Sequence, residues 1–230
     1  MEGAISLGIY DHTGKLVRIL HRAATADEFV AALDGYITHW DGLDDTGKPL
    51  PPGRYSARGY LVGALNVRAI PMPTPPASAK SAASPTLAAS SASPSASSSP
   101  VPAGCGTVEP GQPPPGLSFP NGKPFVAQHK IQVVLTPNPL DRDRAGSAEL
   151  SIGLDVNGVA WLQLADGLPL KQISVTSHLD EAFIGRSGPG EPLFVVLLNY
   201  TVGVEAYTIT KVSNMMSFDC GDFDLPPPAK

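Results

Sequence analysis

The sequence of residues 5–20 is ISLGIYDHTGKLVRIL, and it alternates apolar with small or polar side chains around a turn. Single residues separate Ile5, Leu7 and Ile9, which is the period-2 pattern of a strand with one buried face. The tetrapeptide DHTG at residues 11–14 is typical of a tight turn, and a second apolar run follows it. This stretch therefore predicts a β-hairpin near the start of the chain.

The chain continues beyond this hairpin with helix, strand and turn signals. The sequence TADE, which begins at Thr25, fits a capping box, and apolar residues and a DG stop follow it. A short helix is therefore predicted over residues 25–33. A strand at 36–40, a turn-rich stretch at 41–53 and a strand at 55–62 are expected next. This part of the chain is predicted to form a small, mainly β module, with its boundary at residue 70.

Residues 71–116 differ in composition from the rest of the chain. Between residues 71 and 104 they are mostly Pro, Ser and Ala, and Lys80 is the only charged residue there. Such a segment cannot bury enough apolar surface to offset the entropy of ordering, so a disordered linker is predicted. Pro-rich chain extends by about 3.1 Å per residue, so the linker would let two modules sit up to roughly 100 Å apart. A spacer that reaches across a wall or matrix and a passive tether are both compatible with it.

Residues 117–226 are predicted to form a second β-rich module of unassigned family. The dipeptide NG at residues 157–158 is the strongest hairpin signal in it. Short strands between Gly and Pro turns favour a second sandwich, or a small sheet resembling one or two propeller blades. The fold class predicted for the whole chain is all-β. The strands expected in this module lie at residues 129–136, 149–156, 160–164, 171–176, 193–198 and 204–210.

Composition and charge argue against several classes of function. The formal net charge is −5, without the basic patch that binds a phosphate backbone, so nucleic acid is not an expected partner. The most apolar stretch, residues 193–198, is much shorter than the roughly 20 residues of a membrane span, so no transmembrane helix is expected. The chain begins MEG and enters a strand pattern at once, so either it carries no export signal or Met1 lies inside a longer precursor.

Residues 40–55, WDGLDDTGKPLPPGRY, combine turn glycines, prolines and two large aromatic residues. Together with the preceding hairpin, this pattern resembles the FlgD-type Ig-like domain, a module of the flagellar hook-capping protein that recurs in secreted bacterial proteins. The resemblance covers about residues 3–65 and implies an N-terminal Ig-like β-sandwich. Its glycines suit turns with positive φ, and its aromatic residues supply apolar area to a small core. The residues that carry it are Trp40, Gly42, Gly47, Pro49, Gly53 and Tyr55.

The resemblance implies a role in binding rather than a reaction. The leading hypothesis is a non-catalytic structural or protein-binding module of the bacterial envelope or exterior, outside the cytoplasm, without a cofactor. Its partner would be a protein or an envelope polymer, contacted through the loop at residues 41–52 or through an edge strand. Two alternatives stay open: a flagellar hook-capping or hook-assembly scaffold subunit, which must self-assemble, and an accessory fragment of a larger secreted enzyme.

Acidic side chains supply the candidate binding residues. Asp41, Asp44 and Asp45 lie close together in sequence, and a hard cation such as Ca²⁺ prefers such oxygen ligands, although a solvated turn explains them more simply. The sequence DRDRAG at residues 141–146 begins like a calcium loop. It departs from that motif because Ala145 replaces an oxygen ligand, so no metal site is predicted.

No motif predicts a catalytic residue. The sequence GRSGP at residues 185–189 resembles a nucleophile elbow only in part, because Pro189 stands in place of the final glycine. The sequence HLDE at residues 178–181 is explained as a surface loop, and the five histidines do not pair at a metal-ligand spacing. An enzymatic function is therefore not expected.

The two cysteines, Cys105 and Cys220, lie at the boundaries of the second module. A disulfide between them would close a long loop and stabilise the fold by roughly 4 to 5 kcal/mol. It would also imply an oxidising compartment. Two unpaired thiols are the alternative, and the sequence leaves both open.

Overall fold

The computed structural model describes residues 3–33, 35–72, 111–114, 116–137 and 146–227, and the all-β prediction is confirmed. Within these ranges the only helical element is one 3-10 turn, Ala26–Glu28. The strands in chain order are β1 (Ala4–Asp11), β2 (Leu16–Ala24), β3 (Val30–Ala32), β4 (Gly35–Ile37), β5 (Gly53–Val62), β6 (Asn66–Ile70), β7 (Ile131–Val134), β8 (Ser147–Leu154), β9 (Ala160–Leu164), β10 (Pro169–Gln172), β11 (Glu181–Arg186), β12 (Leu193–Asn199), β13 (Gly203–Thr210) and β14 (Met215–Leu225).

These strands form three four-stranded antiparallel sheets and one separate hairpin. The first sheet has the order β14-β5-β1-β2, the second β10-β9-β8-β7, and the third β11-β12-β13-β6. Strands β3 and β4 pair only with each other. The predicted N-terminal hairpin is therefore confirmed as β1 and β2, with Gly14 at a φ of 81° in the turn between them.

The second and third sheets pack face to face as a β-sandwich. Leu150 and Leu162 of the second sheet and Val195 and Ile209 of the third belong to one buried cluster. For residues 117–226 the sequence left a sandwich or a small propeller-like sheet open. The structure forms a sandwich there, although β6 completes its third sheet and β14 belongs to the first sheet. The run at residues 193–198 is apolar throughout because both faces of β12 are covered.

The outer face of β12 is covered by aromatic residues from the segment that precedes β7. The rings of Phe119, Phe125 and Phe194 lie 5.3 to 5.6 Å apart between centroids. Together with Phe183, Val196 and Ala206 they form what we call the phenylalanine cluster. Met72 at the start of the predicted linker and Leu117 just after it both pack against this cluster, so the two ends of that segment meet at one place.

Each of the two predicted modules contributes a strand to a sheet of the other. Strand β6, from the N-terminal part, pairs with β13, and strand β14, from the C-terminal part, pairs with β5. The amide of Gly63 also donates to the carbonyl of Asn214 at 2.7 Å between the two paired regions. Residues 53–70 and 203–225 thus form a bent two-stranded ribbon that runs from the first sheet into the third.

This pairing corrects the expectation of two separate modules joined only by a linker. Residues 1–70 and 117–226 share sheets, and Val62 and Met215 lie together in the main core, 2% and 0% exposed. Residues 73–110 and 115, most of the predicted linker, lie outside the described residues. The expectation of two independent modules is wrong, because the backbone hydrogen bonds of β6 and β14 fix both parts against each other.

The helix predicted at residues 25–33 is also wrong. The expected capping contact forms, since the backbone amide of Thr25 donates to Oε1 of Glu28 at 2.7 Å, but it closes only the 3-10 turn. The chain then becomes extended and turns back as β3 and β4. Phe29 stacks between the rings of His21 and Tyr36, and this tertiary contact outweighs the weak stability of so short a helix.

Candidate binding surface

The carboxylates of the acidic loop hold the backbone of the loop itself. Oδ1 of Asp41 accepts a hydrogen bond from the amide of Leu43 at 3.0 Å. Oδ1 of Asp44 accepts from the amide and the hydroxyl of Thr46 and from the amide of Lys48, at 2.9, 2.7 and 2.9 Å. The hydroxyl of Thr46 is the main reason that the pKa of Asp44 lies below its usual range. These two side chains therefore stabilise a turn.

The third carboxylate of the loop lies against an outer strand of the first sheet. Oδ1 of Asp45 accepts from the backbone amide of Ile19 on β2 at 3.0 Å. Arg18 donates from Nη1 to the carbonyl of Asp44, and its Nε lies 3.9 Å from Asp45. The loop thus covers part of the β2 edge. Across the described ranges no group of three or more His, Cys, Asp or Glu side chains is arranged to hold a metal ion.

Trp40 and Tyr55 occupy the core positions that the sequence predicts. Their rings meet edge to face at 5.3 Å, and the ring of Phe223 from β14 lies 5.7 Å from Trp40. Nε1 of Trp40 donates to the carbonyl of Leu43 at 2.9 Å. This small core on one face of the first sheet therefore depends on a strand from the far end of the chain. Its buried members are Leu7, Ile9, Tyr55 and Ala57.

The turn residues of the resemblance agree with the structure in part. Gly42 and Gly47 adopt φ values of 77° and 79°, as predicted. Pro49 forms an isolated bridge with Leu43 across the reversal. The expectation of positive φ at Gly53 is wrong, because this residue begins β5 and has ordinary strand geometry.

The most exposed apolar surface near this loop is the β3–β4 hairpin, whose first strand was predicted as part of a helix and whose second overlaps the strand predicted at residues 36–40. The exposed fractions are 61% for Val30, 97% for Leu33, 50% for Tyr36 and 44% for Ile37. Every described residue of β3 and β4 is exposed. We call residues 29–37 the apolar hairpin; no sequence signal indicated that its side chains would be exposed.

The base of the apolar hairpin is fixed to β2. The ring centroids of His21 and Phe29 lie 4.1 Å apart, and those of Phe29 and Tyr36 lie 5.8 Å apart. Nε2 of His21 forms a hydrogen bond of 2.7 Å with Oγ1 of Thr38. Burial of the imidazole lowers the pKa of His21. The exposed side chains of the hairpin are therefore carried on an ordered base.

The other candidate motifs have structural roles where they are described. Residues 185–189 lie at the end of β11 and in the turn to β12, an antiparallel connection without a helix. In the sequence HLDE, the carbonyl of His178 accepts from Asn199, and Oδ2 of Asp180 accepts from the amide of Tyr200. Residues 141–145 of the calcium-like loop lie outside the described residues.

The proposed disulfide stays a prediction. Cys220 is exposed on β14, and burial by its neighbours is the main reason that the pKa of its thiol is raised. Cys105 lies outside the described residues.

A cleft of about 640 Å³ lies on the sandwich, away from the first sheet. Phe125, Phe183 and Leu154 line it together with the carboxylate of Glu181. Oε1 of Glu181 accepts a hydrogen bond from the amide of Gly111 at 2.7 Å. The cleft therefore combines apolar walls with a carboxylate that already binds the backbone.

Comparison with protein-family models, with curated proteins and with solved structures gave no match for this chain. The part of the chain that the structure describes contains no helix with the length and apolar character needed to cross a membrane. The class defined by the fold is thus an all-β protein in which one sandwich and one further sheet share a two-stranded ribbon.

Proposed function

We propose that the protein is a non-catalytic protein-binding module of the bacterial envelope or exterior, and that it binds its partner through the apolar hairpin. The proposed compartment rests on the resemblance of residues 3–65 to the FlgD-type Ig-like domain. The proposed activity rests on one observation, the exposure of four apolar side chains on residues 30–37. Apolar side chains that cluster at a surface in this way are typical of an interaction site.

The expected energetic contribution of this surface is large enough to support binding. Burial of one Leu or Ile side chain contributes about 1.5 to 3 kcal/mol. Leu33 at the tip is almost wholly exposed, so a partner that covers it gains most of that amount. Because the hairpin is fixed to β2 through His21 and Phe29, little conformational entropy is lost when it is covered.

Charge indicates the chemistry of the partner. The segment of residues 25–41 contains four carboxylates and neither lysine nor arginine. Asp27, Glu28 and Asp41 are exposed on either side of the apolar hairpin. The partner that fits is a protein surface with an apolar groove rimmed by basic side chains, since unlike charges favour encounter and specificity.

The proposal is tested by selecting peptides from a displayed random library on the immobilised chain. Leu33→Asp serves for counter-selection, and Val175→Asp is the matched control, since Val175 is 92% exposed in a different loop. We expect selected peptides to combine apolar residues with Lys or Arg. Leu33→Asp should weaken their binding roughly 10-fold to 100-fold, because about 1.5 to 3 kcal/mol is lost.

The measurement is the dissociation constant of each selected peptide by isothermal titration calorimetry. Peptides that bind Leu33→Asp as tightly as the unchanged chain would contradict binding through the apolar hairpin. A Val175→Asp effect equal to that of Leu33→Asp would point to a general loss of structure, and circular dichroism of both variants distinguishes that case.

A further inference from the structure

The two parts of the chain on either side of the linker are complementary surfaces. We call residues 3–72 the N-half and residues 111–227 the C-half. Strand β14 of the C-half completes the first sheet, and strand β6 of the N-half completes the third. Phe223 of the C-half contacts Trp40, and Leu225 of the C-half lies beside Gly42. Without the other half, the first sheet lacks β14 and the third sheet lacks β6.

Polar and charged contacts add specificity to this interface. The hydroxyl of Tyr10 donates to Oδ2 of Asp166 at 3.0 Å. The guanidinium of Arg22 lies 5.3 Å from the ring centroid of Trp161. Arg54 on β5 forms an ion pair with Asp222 on β14, with 2.7 Å between Nη2 and Oδ2. All these contacts are non-covalent, so a C-half from another molecule would make the same set.

The position of the linker makes it geometrically possible for a C-half from another molecule to take the place of the chain's own C-half. Met72 and Leu117 both pack on the phenylalanine cluster, so the linker leaves the fold and returns at one place. The chain length between Met72 and residue 111 allows a span of up to roughly 120 Å at about 3.1 Å per residue, which is far more than pairing within one molecule needs. The connecting chain is therefore long enough for the two halves to pair either within one molecule or between two molecules.

We propose that the chain forms strand-exchanged dimers, in which the N-half of each molecule pairs with the C-half of the other. The partner is a second copy of this chain, and the interface is the bent ribbon of residues 53–70 and 203–225 with the contacts around it. Exchange of an identical element between protomers is a low-cost route to a dimer, since native contacts are kept.

Concentration decides between the monomer and the dimer. Two binding partners joined in one molecule act at an effective concentration of about the millimolar range. Pairing within one molecule therefore dominates at micromolar protein, and exchange becomes substantial near 1 mM or where molecules are held close together. The pairs β5–β14 and β6–β13 must both separate for exchange, so a dimer once formed should persist on dilution.

The test uses full-length chains in which Cys105 and Cys220 are replaced by serine. One chain carries Arg58→Cys on β5 and a second carries Asp219→Cys on β14. These two positions are register partners and both are exposed. Opposite residues in antiparallel strands lie within the Cα distance that a disulfide requires. A disulfide between the two different chains, in excess of the background from random collision, therefore reports pairing of β14 of one molecule with β5 of the other.

The two chains are unfolded together, refolded at about 10 µM or about 1 mM, oxidised and separated by non-reducing electrophoresis. We expect a linked dimer whose yield rises several-fold with concentration, consistent with a millimolar effective concentration. Arg58→Cys mixed with Lys171→Cys gives the background from random collision, because Lys171 is exposed on a different sheet. A single chain with both Arg58→Cys and Asp219→Cys shows that the cross-strand disulfide can form.

Absence of linked dimer at 1 mM, with the disulfide formed in the doubly substituted chain, overturns the proposal. If that control chain does not oxidise, light scattering on the unsubstituted chain refolded at 1 mM decides, and a purely monomeric mass overturns it. A protease site introduced near residue 90 of the full chain tests the premise that the N-half and the C-half bind each other without a covalent link. The cleaved halves should elute together, and their separation in native buffer would refute the complementary interface.

Discussion

Replacement of Gly59 by alanine tests whether strand β14 ties the whole molecule into one folding unit. Gly59 lies on β5, between β1 and β14, and pairs with Phe218. An added methyl group would approach the backbone carbonyl oxygen of Ser6 to 2.7 Å and would overlap the ring of Phe218. The backbone contact cannot be relieved by a side-chain rotation, so β5 must shift against β1. Such overpacking costs about 1 to 3 kcal/mol.

The assay is urea unfolding followed by tryptophan fluorescence. The chain has two tryptophans, Trp40 in the core of the first sheet and Trp161 on β9 of the sandwich. Variants that keep one or the other, with phenylalanine at the second position, report the two regions separately. With a slope of about 2 kcal/mol per M, a loss of about 2 kcal/mol lowers the midpoint by roughly 1 M. We expect the same shift from both tryptophans.

The matched control is Gly53→Ala on the same strand. No atom lies within 4 Å of the Cβ that this change would add, so its effect should stay within about 0.5 kcal/mol. A Gly59→Ala shift seen by Trp40 but not by Trp161 would refute the reasoning, because the first sheet would then unfold independently of the sandwich.

Three further predictions concern contacts between and around the sheets. Burial and the nearby carboxylate of Asp166 raise the pKa of Tyr10, so the unfolded chain loses this proton first and stability should fall above about pH 10. The urea midpoint of Tyr10→Phe should fall less over that range. Burial lowers the pKa of His21, so the unfolded chain binds its proton first and stability should be lost as the pH falls below about 6.5. Hydrogen exchange of the apolar hairpin, corrected for intrinsic rates, should therefore be faster at pH 5 than at pH 7, and His21→Phe should remove this difference. A double-mutant cycle on Arg22→Ala and Trp161→Leu should give a coupling of about 0.5 to 1 kcal/mol; no coupling would show that this cation–π contact does not stabilise the fold.

Features set by neighbouring residues could be predicted from the sequence. Period-2 alternation identified β1, and the turns at Gly14 and Gly158 were recognised because each needs a residue that tolerates positive φ. The roles of Trp40 and Tyr55 in a small core were also predicted. In each of these cases the sequence itself determined the result, because the interacting residues lie close together in the chain or share a strong preference for burial.

Features set by distant residues could not be predicted in this way. Strand β14 carries three aspartates and no clean alternation, and the sequence did not identify it as a strand of the N-terminal sheet. The sequence predicted a short helix over residues 25–33, but residues 30–32 form strand β3 and Leu33 is almost fully exposed. Backbone hydrogen bonds are chemically the same for every strand, so a local pattern shows which face is buried but not which strand lies beside it. Only the tertiary structure decided that β14 pairs with β5 and β6 with β13, because that choice depends on the fit of whole surfaces.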